Sequence, residues 1–116
     1  MLIVFSKKRL RDDLSDDRRR VRRFGAEMAR KLRVRLEAID AADDLSTFWP
    51  ANSKPERCHE LKGNLSGQFS MDLVHPYRLL FVPVYEEGES PPSLVGLEFW
   101  RSIKTIEIVG IEDTHG

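Results

Sequence analysis

The chain has 116 residues, with 19 Lys and Arg against 19 Asp and Glu, three His and one Cys, a length that supports one core and a single domain spanning residues 1–116. Lone Cys58 excludes an internal disulfide framework and favours a reducing compartment. The longest apolar run, Leu79 to Tyr85, falls far short of the ~20 residues that span a bilayer, and Met1 to Phe5 lacks the basic flank and length of a signal peptide, so a cytoplasmic protein without membrane contact is expected.

The zero net charge conceals two opposed parts. Residues 1–35 hold 13 Lys and Arg against 5 Asp and Glu, and residues 36–116 hold 6 against 14. A polyanionic partner is therefore compatible with the neutral total.

Leu2 to Phe5 is a short apolar, partly β-branched run and predicts a strand buried on both faces. From Asp12, acids precede Arg18, Arg19, Arg20, Arg22 and Arg23, an order that suits a helix capped by Ser15 or Asp16 and stopped at Gly25. From Ala26 to about Ala42 the apolar positions Met28, Ala29, Leu32, Leu36, Ile39 and Ala42 recur at steps of three and four, the signature of an amphipathic helix. Arg30, Lys31, Arg33 and Arg35 are assigned to its other face, so two consecutive helices should present cations.

Pro50 and Pro55 mark a turn-rich connector. Strands are expected near Cys58 to Leu61, from Gln68 to Val74, from Tyr77 to Tyr85, and over Ile103 to Ile111. Glu86 to Ser93 reads as an acidic loop. Helices segregated from a mostly antiparallel sheet define an α+β domain. The first strand is expected beside the last one in the middle of the sheet, with the two helices packed on one face and the other face free for a site.

No phosphate-binding glycine loop, zinc-spaced Cys/His set or serine-elbow sequence is present, and Cys58 beside an apolar strand reads as an inert buried thiol. The strands instead carry His59, Glu60, Lys62, Gln68, Ser70 and Arg78, with His115 near the end of the chain. Singly, each has a plain structural role open to it; Arg78, for example, can pair with Asp72 or Glu60. Together they suit cleavage of RNA by its own 2′-hydroxyl, because imidazole exchanges protons near neutral pH and Arg and Lys neutralise the phosphate. Neither task requires a metal or another cofactor.

Arg57-Cys58-His59-Glu60-Leu61-Lys62-Gly63, then Gly67-Gln68-Phe69-Ser70, then Tyr77-Arg78-Leu79-Leu80-Phe81 resembles the HigB/RelE-type toxins of bacterial toxin-antitoxin modules. Phe24-Gly25 with the following helix, and Ile108 to His115, extend the resemblance over nearly the whole chain. It implies a microbial-RNase-like α+β fold and a metal-independent endoribonuclease that cuts messenger RNA on the ribosome and arrests translation. Lys62 and Arg78 match phosphate-holding positions, and His59 and His115 match positions of proton transfer or substrate placement. Arg57, Gln68 and Ser70 are then expected at the substrate. The implied partner is a helix-turn-helix antitoxin, through which alone the toxin would reach operator DNA.

Two positions depart from the family pattern: Thr114 stands where a Tyr is usual, and Leu73 where many members have a second Arg. They favour an alternative, a weakly active or inactive toxin-fold protein serving as a binding module. A further alternative is a non-catalytic RNA-binding domain that uses the Arg18 to Arg35 helices.

Overall fold

The computed structural model of the protein describes residues 1–85 and 93–113. The sequence from Leu2 to Phe5 forms β1, and three helices follow: α1 over Lys8–Asp13, α2 over Asp17–Phe24 and α3 over Ala26–Ala41. After a 3-10 turn at Leu45–Phe48 come β2 (His59–Glu60), β3 (Phe69–Asp72) and β4 (Tyr77–Pro83), then α4 (Gly96–Ser102) and β5 (Thr105–Asp113).

The helix signals act as local chemistry requires. Asp16 caps α2 by accepting a hydrogen bond from the Arg19 amide at 2.8 Å, Asp17 lies in the first turn, and Arg22 and Arg23 lie in the last. Gly25, at φ 85°, joins α2 to α3 through a left-handed conformation that a side chain would resist. The two short helices α1 and α4 carry no comparable periodic signal. In α4 the aromatic Phe99-Trp100 pair anchors the element, with buried Trp100 packed edge-on against Trp49 and Phe69.

The sheet order is β1-β5-β4-β3-β2, with β1 parallel to β5 and every other pair antiparallel. The first strand thus pairs beside the last as expected, but at the sheet edge; β4 occupies the middle. Nor is β1 buried on both faces: Leu2 is 70% and Val4 44% exposed, while Ile3 and Phe5 pack against the core. Successive side chains of β1 point to opposite faces and only one of those faces meets the core, so Leu2 and Val4 are left outside it.

Phe69, Met71, Leu79, Phe81, Ile106 and Ile108 from the sheet meet Leu32 and Ile39 of α3 in one core. Arg35 lies in this same buried stripe, only 3% exposed, rather than on the basic outer face. Its position three residues after Leu32 and four before Ile39 is the reason, since helical spacing turns it inward with them. Among the described residues no helix is long and apolar enough to cross a membrane.

Cys58 is fully buried at the edge of this core. Burial pushes its thiol well above the ordinary value of 9.0, and the negative charge of Glu56 adds to the shift. Such a group stabilises the fold fully below its unfolded pKa, and that stability is lost as pH rises from there toward the folded value. Unfolding free energy should therefore fall by up to about 1.4 kcal/mol per pH unit above the ordinary thiol pKa. Denaturant titrations from pH 8 upward, compared with Cys58→Ala, check this; an unchanged slope in the variant contradicts it.

Candidate nucleic-acid site

The site grows out of the alternation of β3. Phe69 and Met71 face the core, which sends Ser70 and Asp72 to the opposite side of the sheet. Register extends that side across neighbouring strands. His59 pairs with Ser70, Ser70 with Leu80, and Leu80 with Gly110; one row along, Asp72 pairs with Arg78 and Arg78 with Glu112. Directly paired residues point to the same face, so His59, Ser70, Asp72 and Arg78 are gathered on one surface. Its centre is not open, however: Ser70 is 0% and Leu80 2% exposed.

Arg57 joins this group from the segment before β2. Its backbone is left-handed, φ 52°, and is held by the Asp72 amide donating to the Glu56 carbonyl at 2.8 Å and the Arg57 amide donating to Ser53 at 2.8 Å. The Arg57 guanidinium then comes to 3.7 Å from Asp72 Oδ2, while Arg78 Nε lies 3.7 Å from Asp72 Oδ1. Both arginines, Asp72, His75 and Tyr77 line a cavity of about 170 Å³, and Tyr77 as a residue is 45% exposed.

His59 is half-buried, and its Nδ1 lies 2.8 Å from the Arg57 carbonyl oxygen. A carbonyl only accepts, so Nδ1 carries the proton and the neutral ring keeps its lone pair on Nε2. That is the protonation pattern a general base requires. The Ser70 hydroxyl, buried beside it in the sheet, has no hydrogen-bond partner among the described residues. A buried hydroxyl without a partner is costly, and at 0% exposure the Ser70 side chain lies beneath the surface rather than open to a substrate, against the expectation for this residue.

Lys62 and Gln68 lie at the other end of β3. Lys62 is exposed and opens the 3-10 turn Gly63–Leu65, and Gln68 closes it, its carbonyl accepting from the Leu61 amide at 2.8 Å. At about 3.4 Å per residue, the four steps from Gln68 to Asp72 amount to roughly 14 Å. The cations therefore fall into two groups, Lys62 at the turn and Arg57 with Arg78 at the cavity, with His59 and Ser70 between them. His115 and Thr114 lie outside the described residues, as do residues 86–92 of the acidic segment.

Three contributors have no individual sequence signal. Residue type marks Asp72 only as a possible mate for Arg78, yet it stands between both arginines. Tyr77 offers an aromatic ring at the cavity. Arg35, from α3, fixes the backbone behind the site: its Nε donates to the Asp72 carbonyl at 2.8 Å and its terminal NH2 to the Pro55 carbonyl at 3.1 Å. Burial lowers the pKa of this guanidinium, opposed by the negative charges of Glu56 and Asp72. Leu73, where many members of the resembled family carry a second arginine, is 6% exposed, and the second cation at the cavity is Arg57.

The helical cations are partly neutralised within their own layer. Arg19 pairs with Asp16, Arg20 with Asp17 and Arg23 with Asp13. Arg20 holds the Asp17 carboxyl below its ordinary range by a 2.8 Å hydrogen bond. Arg18, Arg22, Arg30 and Arg33 remain exposed.

No protein-family model matches the sequence, and no curated protein matches it. Solved structures do match the fold. A YoeB/ParE toxin from Agrobacterium tumefaciens superposes with a TM-score of 0.56 at 14% identity, covering 99% of this chain and 100% of that one. The fold is that of YoeB-type toxins. A YoeB-YefM complex from Staphylococcus aureus gives a TM-score of 0.53 at 18% identity, over 97% of this chain and 95% of that one.

Removing Arg35 would strand two inward-facing carbonyls. Arg35→Met should cost about 2–4 kcal/mol of unfolding free energy, read from denaturant midpoints. A loss within 0.5 kcal/mol, on the order of an ordinary surface change, would mean that the guanidinium does not hold these segments together.

Proposed function

We propose that this protein is the toxin of a toxin-antitoxin pair and acts as a metal-independent endoribonuclease on messenger RNA. The observation that carries the reading is that His59 shares one face of a YoeB-type sheet with Arg78, where Arg57 and Arg78 both meet Asp72. The His59 to Gly63 turn and the Tyr77-Arg78 strand support a HigB/RelE-type member within that fold. The toxin and complex names of the two structural neighbours support a toxin with a protein partner.

In this reading Arg57 and Arg78 hold the scissile phosphate at the cavity and offset the negative charge that grows on it. His59 Nε2 removes the proton of the 2′-hydroxyl, and the freed oxygen bonds to phosphorus. The 5′-oxygen departs with a proton from a second acid, the role the family resemblance assigns to His115. A 2′,3′-cyclic phosphate and a 5′-hydroxyl result. Lys62, at the far end of β3, holds a neighbouring phosphate, and Gln68 contacts the substrate. The exposed Tyr77 ring supplies a stacking surface for a base.

The message is cut on the ribosome in the cytoplasm, where the exposed arginines of α2 and α3 meet ribosomal RNA. A helix-turn-helix antitoxin is the partner, and operator DNA is reached only through it. A second reading, a binding module with little catalysis, is favoured by Asp72, whose carboxylate occupies the space between the two arginines.

Expression of the wild-type chain should arrest growth and cleave messages in a ribosome-containing extract. Arg78→Ala should lower cleavage by about 10²–10³-fold and relieve the arrest, with the fold retained by circular dichroism. A folded wild type that neither arrests growth nor cuts message defeats the nuclease reading and leaves the binding module.

A further inference from the structure

Asp72 is an acid at the one place where the site should be most positive. Its two carboxylate oxygens are divided between the arginines, Oδ1 to Arg78 and Oδ2 to Arg57, each at 3.7 Å from Nε. A nitrogen-oxygen separation of 3.7 Å lies outside hydrogen-bond range, so these are loose charge pairs rather than the short fork-to-fork contacts that lock an arginine to a carboxylate. The main chain of Asp72, by contrast, is fixed from both sides, by the Glu56 carbonyl and by the Arg35 guanidinium. Only the side chain is at liberty to turn, and it is a third exposed at the wall of the cavity.

We propose that Asp72 is a built-in counter-ion of the Arg57–Arg78 anion site, which a phosphate of the RNA must displace before both guanidiniums can grip it. The inference rests on the nuclease reading for the identity of the anion, an RNA phosphodiester. The counter-ion role itself follows from the geometry. Without Asp72 the two guanidiniums would repel each other more and attract anions more strongly; with it, one of their two positive charges is offset and weak anionic ligands are disfavoured. A phosphate in the cavity offers more acceptor oxygens than the carboxylate and can hydrogen-bond both arginines at once. The carboxylate thus sets a threshold that favours a phosphate presented by a longer, independently anchored strand over a free anion.

The test uses inorganic phosphate as the probe, titrated into the full chain while the Arg57 and Arg78 Nε–H resonances are followed by NMR. Asp72→Asn keeps the side-chain shape, removes the charge, and should raise phosphate affinity on the order of tenfold. Adding Arg57→Gln to that variant should abolish the gain. If Asp72→Asn is folded and binds phosphate no tighter, or more weakly, Asp72 serves to orient the arginines and the counter-ion proposal falls. Asp72→Ser, which also removes the charge, provides the same comparison should the asparagine variant misfold. Message cleavage by the same variants separates the two claims. Tighter phosphate binding without cleavage by any form, wild type included, defeats the nuclease reading and keeps the counter-ion. Cleavage by wild type with no tightening in Asp72→Asn does the reverse. If an acidic peptide, but not phosphate, gains from Asp72→Asn, the site is built for a protein partner and the RNA assignment is overturned.

Discussion

The buried guanidinium of Arg35 connects the layers on which everything else depends. It leaves α3 at a position flanked by Leu32 and Ile39, passes into the core side of the sheet, and donates to carbonyls 20 and 37 residues away. One of these belongs to Pro55, in the segment that presents Arg57; the other belongs to Asp72, at the end of β3. A charged group this deep is costly unless its donors are used, and its two carbonyl contacts supply that compensation. The same contacts place the connector that carries Arg57 against the strand that carries Asp72. The helical layer therefore does more than cover the core: it sets where one of the two cavity arginines begins.

The distribution of charge follows from this arrangement. The cations of the first 35 residues and the acids of the remainder do not form two simple surfaces. Acids at Asp13, Asp16 and Asp17 answer three of the helical arginines, and Asp72 answers the two at the cavity. A strongly basic nuclease would draw RNA by long-range attraction. Here such attraction is restrained, and under the proposed function binding would come from short-range contacts made after some of these pairs open. For the proposed nuclease, a message held on a ribosome would suit that charge pattern better than free RNA, because independent contacts would supply the energy to exchange a carboxylate for a phosphate.

Much of the framework was legible from residue patterns. The cap at Asp16, the joint at Gly25, the stripe of α3 and the alternation of β3 are local, set by periodicities of 3.6 and 2 and by side chains that satisfy nearby backbone groups. The two short helices were not legible, since six or seven residues hold too little periodicity and α4 depends on Trp100 finding Trp49 and Phe69. Arg35 was misplaced because its charge was weighed above its spacing. The edge position of β1 was missed because a short apolar run does not reveal how many neighbours it will have.

By itself, the sequence determined the α+β class, the main helices and strands, and the types of side chain available for chemistry: imidazole, guanidinium and ammonium on consecutive strands, with an inert thiol. Those are properties of residue identity and near-neighbour spacing. Tertiary structure alone decided how they combine. Register put His59 opposite Ser70 and Asp72 opposite Arg78, a left-handed backbone at Arg57 brought a second guanidinium to replace the one absent at Leu73, and strand length kept Lys62 away from both. Such groupings join residues far apart in the chain, and only the pairing of strands and the packing of α3 beneath them brings those residues within reach of a common ligand.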